Sequence, residues 1–299
     1  MQPTRPSEVK AWCQERGFHP NRTLGQNFLI DANIRDAIVA SAELVPGASV
    51  LEVGPGLGAL TQALLEAGMR VTAVEKDAHL AAWLREACGA AALLTLVEAD
   101  MLDLPLDEFL ADATMPEGRR FEACVSNLPY ASGTRILLEL ARHPLGPPRM
   151  AVTVQREVAE RLAAPAGGRA RGQAGVWVQQ DYDVSLVRTV KPTCFWPRPE
   201  IDSTLVRLVR HHRLPLDSAG RRAFENLTRH AFMHRRKQMV ALLRLAPPGL
   251  GLGPDAIGPL LAQVAVDPAC RAETLTNAQW AALARALAAP PASSPETLR

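Results

Sequence analysis

Residues 49–58 read SVLEVGPGLG, an apolar run followed at once by a glycine-rich turn. The apolar run predicts a short buried strand, and the helical pattern that follows, from about Leu57 to Ala67, ends at Gly68. Glycine has no Cβ, so a turn of this composition lets the backbone come close to a bound nucleoside. The segment therefore predicts the strand–turn–helix unit of an open α/β sheet.

The next predicted strand, Arg70 to Val74, ends at Glu75. An acidic residue about 20 positions beyond such a turn is placed to accept the hydroxyl hydrogens of a ribose. The glycine pattern alone does not separate a dinucleotide from S-adenosylmethionine. However, Pro55 stiffens the turn, which suits a cofactor without phosphate better than a pyrophosphate that seeks free N–H groups.

A third predicted strand, residues 93–97, leads to Asp100 and Met101. At the strand tip, Asp100 is placed to accept from an adenine amino group while Met101 packs on the ring. A solvent-exposed loop aspartate is the alternative for this position.

The strand predicted at residues 121–126 leads into Asn127-Leu128-Pro129-Tyr130. Open α/β sheets place their chemistry at the carboxyl ends of strands. Asn127 offers a carbonyl acceptor, Pro129 has no N–H, and Tyr130 adds a flat ring for stacking. The turn therefore suits a planar base with an exocyclic amine, although a plain strand–turn with a half-buried tyrosine has the same pattern.

Two features follow later in the chain. Residues 191–199 form a proline-pinned loop in which Phe195 is hypothesised to be a second stacking wall opposite Tyr130, with a buried loop aromatic as the alternative. From Arg213 onward the pattern becomes helical, with helices predicted at about 219–232, 235–245, 254–264 and 277–288. We expect domains at 1–212 and 213–289 and a disordered tail at 290–299.

Composition limits the function classes. The chain has 299 residues, 47% of them hydrophobic and 21% charged, which is ordinary for a soluble protein. No apolar run approaches the roughly 20 residues that span a bilayer, so we expect a cytoplasmic protein without a membrane partner. Its five cysteines are scattered and form no C-x-x-C pair, which argues against a disulfide framework and a metal site.

The net charge of +2 hides a basic segment. Residues 204–244 contain ten lysines and arginines but only two acidic residues. Such segregation favours a local polyanion-binding face over a solvated helical face. The candidate RNA contacts are Arg229, Arg235, Arg236 and Lys237.

Seven segments together resemble one family, the ribosomal RNA small-subunit adenine N6-dimethyltransferases of the KsgA/Dim1 type. They follow in the family's order along nearly the whole chain. They are GQNFL (25–29), EVGPGLG (52–58), NLPY (127–130), VQREVAERL (154–162), PRPEIDS (197–203), HRRK (234–237) and RAETL (271–275).

The resemblance implies an α/β fold: a Rossmann-like class I methyltransferase domain with a mostly parallel sheet, plus a small C-terminal all-α domain that binds RNA or the ribosome. The implied cofactor is S-adenosyl-L-methionine. The implied reaction is N6-dimethylation of two adjacent adenosines near the 3′ end of 16S ribosomal RNA, in the small (30S) ribosomal subunit, with a role in ribosome biogenesis. We expect a monomer.

The resemblance also implies site residues. Asn27 and Leu29 would contact the methionine end of the cofactor, Glu75 the ribose, and Asn127 both the cofactor and the target base. The cofactor-binding set is Asn27, Leu29, Gly54, Gly56, Glu75, Asp100, Met101 and Asn127. The catalytic set is Asn127, Leu128, Pro129, Tyr130 and Phe195.

Our hypothesis for the chemistry rests on acceptors. The Asn127 side-chain oxygen and the Leu128 carbonyl would accept the two hydrogens of adenine N6, and Tyr130 with Phe195 would clamp the base. Positioning and electrostatics would do most of the work, without a strong general base.

Other functions stay open at this point. The nearest is the 23S ribosomal RNA adenine N6-dimethyltransferase of the macrolide-resistance type, which the proline-rich loop and helical tail fit less well. A DNA adenine methyltransferase would typically carry a different recognition domain. A mainly non-catalytic small-subunit assembly factor is compatible with the same sequence. A nicotinamide dehydrogenase is disfavoured because no histidine or lysine acid/base accompanies the pocket.

Overall fold

The computed structural model describes residues 1–21, 23–89, 91–246 and 252–288. The tail predicted at 290–299 lies outside these residues. The chain divides into two compact units. The first comprises Met1–Glu160 and Tyr182–Arg210, and the second comprises Arg161–Asp181 and the described residues from His211 onward.

The elements of the first unit are numbered in chain order together with those of the second. The first unit contains α1 (Pro6–Glu15), β1 (Phe28–Leu29), α2 (Ala32–Ser41), β2 (Ser49–Val53), α3 (Ala59–Glu66), β3 (Arg70–Glu75), α4 (Ala78–Cys88), β4 (Leu94–Glu98), α5 (Leu106–Phe109), β5 (Ala123–Asn127), α6 (Gly133–Arg142), β6 (Arg149–Gln155), β7 (Tyr182–Val190), β8 (Phe195–Trp196) and β9 (Ser203–Arg210). The second contains α8 (Gln173–Asp181), α9 (Ser218–Met233), α10 (Met239–Arg244), α11 (Pro254–Gln263) and α12 (Asn277–Ala288), and α7 (Arg156–Ala163) runs from one unit into the other.

The first unit is built on a seven-stranded sheet in the order β4-β3-β2-β5-β6-β9-β7. The strands β4, β3, β2, β5 and β6 are parallel, and β9 and β7 complete one edge in antiparallel pairing. The helices α3, α4 and α6 connect successive parallel strands, as parallel pairing requires. The mostly parallel α/β sheet predicted from the sequence is confirmed.

Strands β2 and β5 separate toward their carboxyl ends. Their ladder pairs Val50 with Ala123 and Leu51 with Cys124. Beyond these pairs, the Val53 N–H donates to the side-chain hydroxyl of Ser126 at 2.8 Å instead of to a backbone carbonyl. The strand order reverses at this point, so the separation opens a crevice where doubly wound sheets bind their ligands.

The core beneath the crevice is apolar. Val50 and Leu51 of β2 and Val125 of β5 are fully buried, as expected for strands covered on both faces. Helices α2 and α3 contribute Ile38 and Leu64, which are also fully buried. This packing fixes the strand ends from which the crevice residues project.

A two-residue pairing of β1 with β8 lies outside the main sheet. Phe28 is opposite Trp196 and Leu29 is opposite Phe195. The pairing holds the segment that contains GQNFL against the proline-rich loop.

The second unit is helical. Its core contains Phe224 of α9, Leu261 of α11 and Trp280 of α12, each no more than 1% exposed. Val176 of α8 belongs to the same core. The predicted domain boundary after residue 212 lies close to the observed change of unit at His211, but the prediction placed residues 161–181 in the first domain, whereas they pack with the helical unit.

Within the described residues, no helix combines the length and the apolar character that a membrane crossing requires. The same residues contain no group of three or more histidine, cysteine, aspartate and glutamate side chains placed to hold a metal ion.

Candidate active site

A cleft opens at the carboxyl ends of the parallel strands. It encloses about 1130 Å³ of empty space, including its mouth. All eight residues predicted to bind the cofactor line it, namely Asn27, Leu29, Gly54, Gly56, Glu75, Asp100, Met101 and Asn127. Segments far apart in the sequence therefore meet in one cleft at the carboxyl edge of the sheet, where open α/β sheets bind their ligands.

The glycine turn after β2 forms the floor of the cleft. Gly54 and Gly56 have φ angles of +68° and +57°, a region that favours glycine. A Cβ on Gly56 would lie 2.9 Å from the ring of Phe28, and one on Gly54 would lie 3.4 Å from Pro129. The turn therefore needs glycine for its conformation, and Gly56 also needs it for space.

Glu75 ends β3 beside this turn and is 6% exposed. Its Oε2 accepts the Gly56 N–H at 3.1 Å, and its Oε1 accepts the Asp77 N–H at 2.9 Å. Burial raises the pKa of the Glu75 carboxyl. Each oxygen accepts one backbone hydrogen bond and keeps acceptor capacity for hydroxyl groups of a ligand.

Asp100 lies in the cleft wall after β4 and forms an ion pair that the sequence did not predict. Lys76 donates to its Oδ2 at 2.6 Å, and the Leu102 N–H donates to its Oδ1 at 2.9 Å. The hydrogen bond from Lys76 lowers the pKa of Asp100. Met101 is 4% exposed and lines the cleft with it. The only sequence signal for Lys76 was its place directly after Glu75, at a strand end.

Glu52 is a buried acid within β2, 1% exposed, that also lines the cleft. Its Oε2 accepts the hydroxyl hydrogen of Thr61 at 2.7 Å. Burial raises the pKa of Glu52 to about 8. The sequence did not predict its burial, which depends on the packing of α3, the helix of Thr61, against β2.

The Asn127 amide is held at both ends. Its Nδ2 donates to the backbone carbonyl of Asn27 at 2.9 Å, and its Oδ1 accepts the hydroxyl hydrogen of Thr153 at 2.5 Å. The orientation of the side chain is therefore fixed in the crevice wall that also contains Gly54 and Glu75.

The backbone carbonyls of the two residues after Asn127 differ in their hydrogen bonds. The Pro129 carbonyl accepts the Gly133 N–H at 2.7 Å and so begins α6. The Leu128 side chain is 2% exposed, but within the described part of the chain its carbonyl accepts no hydrogen bond. The acceptors that the turn leaves for a ligand are therefore the Leu128 carbonyl and the remaining lone pair of Asn127 Oδ1.

Tyr130 is half-buried and its hydroxyl is hydrogen-bonded to that of Ser203. Burial raises the pKa of the Tyr130 hydroxyl. The hypothesis that Phe195 forms a wall opposite Tyr130 is corrected by the structure. Phe195 is 1% exposed in the core, and the two rings meet edge to face with centroids 6.3 Å apart, which leaves no space for a base between them. Phe195 supports Tyr130 instead.

The loop that contains Gly25 closes against the same turn. The Tyr130 N–H donates to the Gly25 carbonyl at 3.4 Å. A Cβ on Gly25 would lie 2.6 Å from the backbone nitrogen of Ala131, so only glycine permits this approach. Gln26 donates to Asp77 at 2.8 Å, which ties the loop to the start of α4.

The four predicted RNA contacts are exposed in the helical unit. Arg229 lies on α9, with its guanidinium 5.9 Å from the ring centre of Trp177. Arg235, Arg236 and Lys237 lie on the turn between α9 and α10, where the sequence predicted the start of a helix.

Arg235 also has an internal role. It donates to the backbone carbonyl of Arg171 at 3.0 Å and to the carboxylate of Glu273 at 3.1 Å. Arg171 is itself buried and donates to the Ala164 carbonyl at 2.8 Å. Arg235 therefore links three segments of the helical unit, whereas Arg236 and Lys237 project from the turn without such partners among the described residues.

The fold and the cleft define a Rossmann-like methyltransferase. Two solved structures share the architecture. A dimethyladenosine transferase from Plasmodium falciparum superposes with a TM-score of 0.71 at 21% identity, over 85% of this chain and 95% of that one. The 23S rRNA methyltransferase ErmE superposes with a TM-score of 0.65 at 26% identity, over 87% of this chain and 99% of that one.

Sequence comparison gives the family. The model of the family described as "Ribosomal RNA adenine dimethylase" matches residues 17–283, and the chain belongs to this family. Ribosomal RNA small subunit methyltransferase A of Geobacillus kaustophilus (strain HTA426) is 34% identical over 283 residues, 95% of this chain and 96% of that protein. The protein of the same name from Bacillus mycoides (strain KBAB4) is 33% identical over 94% of this chain and 96% of its own length.

Proposed function

We propose that this protein uses S-adenosyl-L-methionine to dimethylate N6 of two adjacent adenosines near the 3′ end of 16S ribosomal RNA in the small ribosomal subunit. The observation that carries the proposal is the position of Asn127. Its oriented amide lines the cleft that also contains Gly54 and Glu75. The Leu128 carbonyl follows it directly in the chain, although Leu128 is not among the residues that line the cleft. A methyl donor and an adenine amine would meet there.

The residues of the cleft fit the cofactor. Glu75 offers carboxyl oxygens to the ribose hydroxyls, and the Cβ-free surface of Gly54 and Gly56 admits the ligand close to the backbone. Asp100 and Asn27 also line the cleft, where Asp100 would accept from the adenine amine and Asn27 would contact the methionine end. When bound, the cofactor supplies a methyl group activated on a sulfonium sulfur.

The chain's own contribution is the placement of acceptors. The N6 lone pair of adenine is delocalised into the ring, which makes the amine a poor nucleophile. Hydrogen bonds from N6 to Asn127 Oδ1 and to the Leu128 carbonyl favour a pyramidal nitrogen with its lone pair directed out of the ring plane. The ring of Tyr130, which is half-buried, is the candidate stacking surface for the extruded base.

No side chain acts as a strong base in this proposal. The nitrogen becomes cationic on methylation, and its proton then leaves readily to solvent. Catalysis therefore rests on alignment and on oriented dipoles in the cleft.

The small subunit is favoured as the substrate by the names of the sequence relatives, which match about a third of their residues over nearly their full length. The helical unit supports an RNA substrate, because Arg229, Arg236 and Lys237 are exposed and lie within nine residues of one another in the chain, at the end of α9 and just beyond it. We also expect the protein to act as a monomer in the cytoplasm.

A 23S substrate is the second candidate, because the ErmE structure superposes over most of both chains. Its identity of 26% is below the 34% shared with the small-subunit relative. A mainly non-catalytic role in small-subunit assembly is the third, and Asn127→Ala separates it from catalysis. A catalytically dead variant that complements growth fully would support the assembly role.

The experiment is incubation of the protein with methyl-labelled cofactor and purified ribosomal particles. We expect label in small subunits that lack the modification and none in mature small subunits, which have no free acceptor. Label in 23S RNA instead would favour the second candidate, and label in neither RNA would refute the proposed reaction. Mass spectrometry of the digested RNA distinguishes monomethyladenosine from the dimethyladenosine that we expect.

A further inference from the structure

Thr153 lies directly behind the Asn127 amide. The two residues are register partners on the adjacent parallel strands β6 and β5. Thr153 is fully buried, and its hydroxyl donates to Asn127 Oδ1 at 2.5 Å. It does not belong to the lining of the cleft, so its effect on a ligand must pass through Asn127.

The second partner of the amide determines the direction of this hydrogen bond. Asn127 Nδ2 donates to the Asn27 backbone carbonyl at 2.9 Å, and a carbonyl can only accept. If the amide were flipped, Asn127 Oδ1 would face the carbonyl oxygen of Asn27, and the two oxygens would repel each other. The Asn127 oxygen must therefore face Thr153, whose hydroxyl must donate to it.

We infer that Thr153 is a positioning residue, which fixes the direction in which Asn127 Oδ1 accepts a hydrogen bond from the target amine. This inference rests on the proposed function. An amide oxygen has two lone pairs, and Thr153 occupies one of them. The other lone pair is then held in one direction in the cleft wall. The hydroxyl thus allows Asn127 Oδ1 to accept a single N6 hydrogen and leaves the other hydrogen to the Leu128 carbonyl.

The alternative is that Thr153 only fills space in the sheet. Thr153→Val tests this because valine keeps the shape and the strand preference of threonine but has no hydroxyl. Thr153→Ser keeps the hydroxyl and loses one methyl group. Thr204→Val is the matched control, since it removes a buried hydroxyl from β9, where the register partner is Val154.

The measurements are the kcat and KM for unmodified small subunits, the Kd for S-adenosylmethionine and the melting temperature of each variant. For Thr153→Val we expect kcat to fall about ten-fold, the effect of one misdirected hydrogen bond, with KM and Kd near the wild-type values. Thr153→Ser should recover kcat to within about three-fold of wild type, and Thr204→Val should leave it unchanged.

The inference is overturned if Thr153→Val binds cofactor normally and keeps its kcat, or if Thr204→Val loses as much activity. It is also overturned if Thr153→Ser fails to recover kcat while its melting temperature is normal. These results differ from failure of the proposed function, in which the wild-type protein itself would not methylate unmodified small subunits.

Discussion

Glu75 accepts the Gly56 N–H at 3.1 Å, so the carboxylate at the end of β3 holds the glycine turn that follows β2. The same carboxylate lines the cleft. One acidic side chain therefore shapes the floor of the site and supplies acceptors to the ligand bound on that floor.

This double role predicts the effect of Glu75→Gln. An amide cannot accept at both ends, so its NH2 group would oppose the N–H of either Gly56 or Asp77. We expect the Kd for S-adenosylmethionine, measured by calorimetry, to rise at least about ten-fold. Glu66→Gln, an exposed change at the end of α3, is the control. An unchanged Kd in Glu75→Gln would contradict the assignment.

The buried Glu52 predicts a pH dependence of stability. Burial raises the pKa of Glu52 from 4.5 to about 8 in the folded protein, so the folded state holds a proton that the unfolded state releases. The proton on Glu52 therefore stabilises the folded state fully at pH values below the pKa of Glu52 in the unfolded state. This stabilisation is lost as the pH rises through the pKa in the folded state, and the free energy of unfolding falls by up to about 1.4 kcal/mol per pH unit.

Glu52→Gln removes this titration and keeps an oxygen for the Thr61 hydroxyl. The free energy of unfolding of the variant, measured in urea, should increase relative to that of wild type as the pH increases from about 5 to about 8. If the difference in free energy of unfolding between variant and wild type stays constant over this pH range, Glu52 is already ionised in the folded protein.

Gly56 predicts a combined conformational and steric effect. Alanine there would adopt a left-handed conformation, which costs about 1–2 kcal/mol, and would place its Cβ 2.9 Å from Phe28. Gly17→Ala is the matched control, because Gly17 has a φ of +60° with nothing within 4 Å of the added Cβ. Gly56→Ala should lose more stability in urea unfolding than Gly17→Ala. Equal losses would mean that Phe28 moves aside at no cost.

Substitutions in the turn of Arg235, Arg236 and Lys237 should have two different effects. Arg236→Gln combined with Lys237→Gln should weaken RNA binding and reduce the salt dependence of log K by about 0.7–0.9 for each lost phosphate contact. Arg235→Gln should also lower the free energy of unfolding, by up to about 1 kcal/mol, since Arg235 bonds to Arg171 and Glu273. Binding titrations at several salt concentrations and urea unfolding separate the two effects. An unchanged salt slope in the double variant would exclude the turn from the RNA contact.

Elements with a strong local signal were predictable from the sequence. The strand Ser49–Val53 and the helix Asn277–Ala288 lie where the sequence predicts them, because an apolar run or a helical period is readable within a short window. Helix α8 was not predicted, and its segment packs with the helical unit although it precedes β7 in the chain. That grouping depends on the contacts of Val176 with residues distant in sequence, which no local pattern records.

The cofactor side of the site was predictable for a related reason. The ends of parallel strands meet at one edge of the sheet, so Glu75, Asp100 and Asn127 were expected in one cleft, and all three line it. Lys76 and Thr153 were not predicted, because their contacts depend on strand register and side-chain direction. The burial of Phe195 depends likewise on the pairing of β8 with β1.

The most direct test of the central claim is nucleoside mass spectrometry of 16S RNA from unmodified small subunits incubated with cofactor and either wild-type protein or Asn127→Ala. We expect dimethyladenosine at two adjacent positions with wild type, and a loss of at least about 100-fold with Asn127→Ala, of the order found when an oriented dipole is removed from an active site. Cofactor binding by the variant should remain measurable. Unchanged turnover in Asn127→Ala would contradict the claim that this amide aligns the adenine amine for methylation.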